Sequence, residues 1–137
     1  MKRSDLDDCV DACHACVLAC EHCASECLAD PDAAALARCI RLATDCAQIC
    51  ALAVAFMARG SESAKLVCED CASVCERCAE ECERHDSPHC RDCARACRDC
   101  MQACLRMAQA PIDETAMAAA GLPRSGERGA ARARGRA

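Results

Sequence analysis

Residues 9–27 read Cys9-Val10-Asp11-Ala12-Cys13-His14-Ala15-Cys16-Val17-Leu18-Ala19-Cys20-Glu21-His22-Cys23-Ala24-Ser25-Glu26-Cys27, with the six cysteines separated by steps of 4, 3, 4, 3 and 4. Alternating threes and fours place all six side chains on one stripe of an α-helix. A half-buried strand needs alternation by two, and a disulfide-stapled loop fold needs no period at all. The same rhythm returns in Cys68, Cys71, Cys75, Cys78 and Cys82, and again in Cys90, Cys93, Cys97, Cys100 and Cys104. These are the a and d positions of a heptad, filled with cysteine where leucine normally sits.

Between the first and third runs the seam continues with a different filling: Leu36, Cys39, Ala43, Cys46, Cys50, Ala53 and Met57. Ile40, Leu42, Ile49, Leu52, Val54 and Phe56 widen its apolar stripe. That width predicts a face that packs on something beyond its own seam, such as another subunit. The punctuation predicts four helices. Ser4 with Asp7 resembles a capping box, and Asp30-Pro31 is expected to close the first helix and open the second, as N-cap and first helical residue. Gly60 reads as a helix stop, with Ser61 and Glu62 restarting the chain. Ser87-Pro88 repeats the cap-plus-proline device, and Pro111 ends the fourth helix. Short connections imply antiparallel neighbours, so the expected fold is all-α, an up-down-up-down four-helix bundle over residues 1–110. Residues 111–137 are expected to hold one more short helix and a disordered Gly/Ala-rich tail, which from residue 121 onward carries five arginines against one glutamate.

Composition agrees with a sulfur-lined interior. Of 137 residues, 19 are Cys and 31 are Ala; Phe56 is the only aromatic. A jigsaw core of large side chains is out of reach, and so are the aromatic platforms on which single-stranded nucleic acids stack. The net charge of −5 gives no encouragement to a nucleic-acid partner either. No uninterrupted apolar run reaches the roughly 18 residues that span a bilayer, and the first eight residues lack the apolar core of a secretory signal. The expectation is a cytosolic protein with no membrane partner and with reduced thiols, where clustered cysteine more often means metal than cross-links.

Free cysteine also packs as a small hydrophobe. A whole seam of it, however, buries less apolar area than leucine would, at about 25 cal/mol per Å², so a property specific to thiols is the better account. Catalysis is poorly supported, because a nucleophilic cysteine is one residue activated by one base. No enzyme is expected. His14 and His22 lie outside the first seam, as solvated histidines. Soft thiolates favour Cu(I), Zn(II) and iron–sulfur clusters. The CxxC pairs are superficially zinc-like but lie inside continuous helical periodicity, and ferredoxin spacing with a trailing proline is absent.

Charge separates the candidates. Cu(I) displacing one thiol proton leaves the net charge unchanged, whereas four thiolates on one Zn(II) leave −2, which costs several kcal/mol per uncompensated buried site. Cu(I) also accepts two ligands, and eight pairs stand at i and i+4: 9/13, 16/20, 23/27, 46/50, 71/75, 78/82, 93/97 and 100/104. A zinc or cadmium sink is the alternative, and an iron–sulfur electron carrier a more distant one. At the bundle ends, Met57 and Met107 read first as core plugs. His85 and His89 stand beside Cys27 and Cys90, open between helix-end histidines and ligands of a port.

The CxxxC runs of the first, third and fourth helices, the stretch from Cys39-Ile40-Arg41-Leu42 through Cys46-Ala47-Gln48-Ile49-Cys50-Ala51-Leu52-Ala53-Val54, and Cys82 to His85 followed by His89-Cys90 together resemble the four-helix-bundle copper storage proteins, in their cytosolic form without an export signal. The resemblance covers roughly residues 5–107. It implies storage of many Cu(I) ions on the nineteen cysteines, assembly as a homotetramer, and His85 and His89 near an open mouth.

Overall fold

The computed structural model describes residues 4–110. The expectations for residues 111–137 lie outside these. Four α-helices follow one another: α1 Asp5–Ala29, α2 Ala37–Ala58, α3 Ala64–Cys82 and α4 Pro88–Gln109. Among the described residues there is no strand. Each helix packs on its neighbour in the chain, and α4 closes the ring against α1. The expected up-down-up-down bundle is what forms.

The predicted capping box is present at α1: Asp7 N donates to Ser4 Oγ at 3.1 Å, and Ser4 N donates to Asp7 Oδ2 at 3.5 Å. Asp5, Asp7 and Asp8 in the first turn complement the positive end of the helix dipole. At the far end of α2, Gly60 takes φ +64°, open to glycine at little cost. Gly60 N donates to Met57 O at 3.2 Å and Ser61 N to Phe56 O at 2.9 Å, the two bonds of a Schellman stop. Ser87 is extended before Pro88, the first residue of α4, although its side chain makes no capping bond.

One expectation is corrected. Asp30 does not cap the second helix. It is extended, as a residue before proline prefers, and its Oδ1 accepts from Asp32 N at 2.8 Å while its carbonyl accepts from Ala33 N at 3.0 Å. The carboxylate is thus spent inside a turn. A 3₁₀ helix, Ala33–Leu36, follows and delivers the chain to α2.

All nineteen cysteines are fully buried. Ala43, Ala53, Ala72, Ala79 and Ala103 are buried beside them, and such small side chains let the helices approach closely. Among the described residues, Leu36, Met57 and Met107 are the only larger apolar side chains buried in this core. Ile40, Leu42, Ile49, Val54 and Phe56 of α2 pack partly against it, while Leu52 stays exposed. By average hydropathy and length Ala33–Ala58 meets the requirement for crossing a bilayer, although charged residues break its apolar run.

Candidate metal centre

The heptad dictates that sulfurs four residues apart on one helix meet. Seven of the eight anticipated pairs do so with Sγ···Sγ separations of 3.8–4.0 Å. For the eighth, Cys78 reaches Cys93 at 3.9 Å and Cys82 reaches Cys39 at 3.7 Å. Contacts across helices are as short or shorter. Cys13 meets Cys100 at 3.5 Å, Cys50 meets Cys71 at 3.5 Å, and Cys46 meets Cys75 at 3.5 Å. Cys9 meets Cys104 at 3.6 Å at one end, and Cys27 meets Cys90 at 3.9 Å at the other.

The result is a column of thiols that sorts into groups of four whose sulfurs all lie within 4.8 Å of one another. Four groups share no member: Cys13, Cys71, Cys100 and Cys104; Cys16, Cys46, Cys50 and Cys75; Cys20, Cys78, Cys93 and Cys97; and Cys23, Cys27, Cys39 and Cys90. Another group, Cys16, Cys20, Cys46 and Cys97, bridges two of these, so the column has no insulating gap there. Every cysteine is a free thiol. These four-sulfur groups were not foreseen from sequence, which specifies pairs along a helix but not their partners across it.

Among the described residues no cationic side chain is buried in the core, so none of them offsets thiolate charge there. Burial pushes the Cys27 thiol up to about 12, with Cys39 and Cys90 adding to the effect. Burial likewise raises Cys90. Cys97 and Cys100, deeper in the column, are pushed up by the neighbouring sulfurs Cys16 and Cys104 respectively, whereas Cys39 and Cys71 are pulled down by Cys23 and Cys100 respectively.

The two ends differ chemically. Met57 and Met107, nearly buried, stand at the Cys9 end. At the Cys27 end α3 stops at Cys82, so His85 does not continue the seam as a helical residue. Its amide donates to Cys82 O at 3.1 Å, and its Nε2 lies 2.8 Å from Glu81 Oε2. Glu81 is the one buried charged residue among those described; its Oε1 accepts from Arg38 Nη1 of α2 at 2.7 Å. Burial raises the Glu81 carboxyl, but the bonds from His85 and Arg38 outweigh it and hold the group below its ordinary value. His89, on the first turn of α4, has a buried Nε2 with no hydrogen-bond partner. His14 and His22 are exposed on the outside of α1, as expected. Sequence reasoning missed Glu81. The signal was its i,i+4 spacing to His85, but the Arg38 half of the contact comes from another helix.

A family profile described as "Csp: Copper storage protein" matches residues 2–109. The fold superposes on the Cu(I)-bound copper storage protein BsCsp3 of Bacillus subtilis with a TM-score of 0.74, at 44% identity over 77% of this chain and 99% of that one. A cytosolic copper storage protein from Streptomyces lividans, solved with five coppers, gives a TM-score of 0.76 at 38% identity, covering 79% of this chain and 95% of that one. The uncharacterized cysteine-rich protein YhjQ of Bacillus subtilis (strain 168) is 46% identical over 64 residues, which is 47% of this chain; the match spans 59% of that relative's length. With nineteen inward-facing thiols and a family match over nearly all the described residues, this chain belongs to the copper storage protein (Csp) family.

Proposed function

We propose that residues 1–110 form one unit that sequesters many Cu(I) ions on the thiolates of its core, approaching one ion per cysteine, and that the chain is a store and not an enzyme. The observation that carries this reading is the column of nineteen buried free thiols. Each Cu(I) that replaces a thiol proton leaves the charge of that column unchanged, so ions accumulate without accumulating charge. The ligands are Cys9 to Cys104 of the four seams, and His85 and His89 receive incoming copper at the end marked by Cys27 and Cys90. Two features support the port there: an orphaned buried ring nitrogen on His89 and the break of α3 beside His85. The Cys9 end is plugged by Met57 and Met107.

A cytosolic location fits the reduced thiols and the cytosolic relative in Streptomyces lividans. Assembly as a homotetramer would cover the outer apolar face of α2, where Leu52 is exposed.

A zinc or cadmium sink has one observation in its favour. Metal–sulfur bonds of about 2.3 Å put tetrahedral sulfurs about 3.8 Å apart, close to the spacing in the four-sulfur groups. Each such site would carry −2 in a core without cations, which weighs against it. Anaerobic titration of the reduced protein with Cu(I) and with Zn(II) separates the two. Copper storage predicts uptake approaching one Cu(I) per cysteine with little change in helicity. Saturation near four ions, one for each separate four-sulfur group, with Zn(II) outcompeting Cu(I), would overturn it.

A further inference from the structure

Arg38, Glu81 and His85 form a linked trio at the proposed port. A carboxylate as buried as Glu81 is costly to desolvate unless both oxygens are engaged. Here one oxygen takes Arg38 Nη1 at 2.7 Å and the other lies 2.8 Å from His85 Nε2. Arg38 comes from the start of α2 and Glu81 from the last turn of α3, so the carboxylate is held by the bundle, not by the loop that carries His85. An ionised carboxylate only accepts hydrogen bonds, so the contact requires the imidazole to carry its proton on Nε2. In the neutral ring Nδ1 is then the nitrogen with a free lone pair. Histidines that bind metals commonly give their other N–H to a carboxylate, which fixes tautomer and ring orientation and raises basicity. Glu81 itself is a hard oxygen donor, a poor match for a soft ion.

We infer that Glu81 is a positioning residue for Cu(I) capture: braced by Arg38, it holds His85 as the Nε2–H tautomer so that Nδ1 meets the incoming ion. This rests on the copper-storage reading above. It assigns the carboxylate to the rate of loading and gives it no part in capacity, which belongs to the sulfurs.

The test uses the reduced, metal-free protein under anaerobic conditions, with Cu(I) delivered from a coloured Cu(I)-chelator complex. Initial rate and final uptake are measured for the wild type, Glu81→Ala, Glu81→Gln, His85→Ala and the Glu81→Ala/His85→Ala double variant, with helicity checked by circular dichroism. Glu81→Ala is expected to slow initial loading several-fold, about as much as His85→Ala, with no further slowing in the double variant and final uptake unchanged. Glu81→Gln, whose amide oxygen still accepts from Nε2–H, should recover much of the rate. The ¹⁵N shifts of the His85 ring should report the Nε2–H tautomer in the wild type and a mixture in Glu81→Ala. An Nδ1–H tautomer in the wild type overturns the assignment even if every variant misfolds. So does wild-type loading by Glu81→Ala or by His85→Ala, or a double variant slower than either single one. Wild-type uptake far below one ion per cysteine is a different failure, and it sinks the storage reading instead.

Discussion

Replacing Cys46 by alanine removes one thiol of nineteen, but its position enlarges the expected effect. Cys46 Sγ touches Cys16 and Cys97 toward the His85 end, each at 3.8 Å. Toward the Met57 end it touches Cys50 at 4.0 Å and Cys75 at 3.5 Å. Cys46 thus has close sulfur neighbours in both halves of the column; Cys16 also interacts across the divide with Cys50, Cys75 and Cys100. In the half toward Met57 lie eight thiols: Cys9, Cys13, Cys50, Cys68, Cys71, Cys75, Cys100 and Cys104. Without Cys46, Cys16 remains within 4.8 Å of Cys50 and Cys75. Two metal–sulfur bonds of about 2.3 Å reach roughly 4.6 Å, so losing Cys46 leaves fewer sulfurs to hand an ion from one half to the other. The fold should survive, since losing one buried heavy atom costs about 1 kcal/mol against a domain stability of roughly 5–15 kcal/mol, and alanine favours a helix.

Stopped-flow loading with excess Cu(I) is the assay. Final uptake should fall by about one ion, while the eight distal sites fill in a separate phase slowed about tenfold, an added barrier of about 1.4 kcal/mol. Cys20→Ala serves as the control. It also removes one ligand, but Cys93 stays in contact with Cys97 at 4.0 Å and Cys97 with Cys16 at 3.7 Å, so no slow phase should follow. Single-phase loading of the Cys46 variant at the wild-type rate would refute relay along the sulfur column.

Copper entering at thiols that burial keeps protonated, such as Cys27 at about 12, should release about one proton per thiolate formed at neutral pH. Affinity therefore rises with pH, and a pH-stat trace without proton release would contradict that protonation. In the metal-free protein, the Arg38–Glu81–His85 contact holds the Glu81 carboxyl below its unfolded-state value of about 4.3. Its stabilisation is therefore complete above that value and lost as pH falls through the lower folded one. Thermal midpoints measured across the acid range should drop less steeply for Glu81→Gln than for the wild type. Ser4→Ala removes the capping acceptor of α1 and should cost about 1 kcal/mol, read from chemical denaturation of the metal-free protein.

Much of this was legible in the residues. The alternating steps of three and four identified the helices and the inner face of each, and the Schellman stop at Gly60 and the box at Ser4 appear where their residues stand. The start of α2 was not legible. Asp30 has the chemistry of an N-cap and also of a turn former, and local sequence does not choose between them; the carboxylate went to Asp32 N. Glu81 was invisible as a port residue because its second partner, Arg38, lies 43 residues earlier in the chain. Whether His85 stands on a helix was not legible either: α3 ends at Cys82, and the loop beyond it carries the histidine.

The chain's own pattern determined that sulfurs face inward and that those at i and i+4 meet, because helical rise and twist are properties of the backbone. Which sulfurs meet across helices was decided only by tertiary structure. Four rods bearing the same thiol stripe bury similar surfaces in several axial registers and rotations. The choice among them comes from the summed packing of small side chains and the turns that join the rods. That register sets the four-sulfur groups, makes Cys46 a bridge between the halves, and brings Arg38 to Glu81.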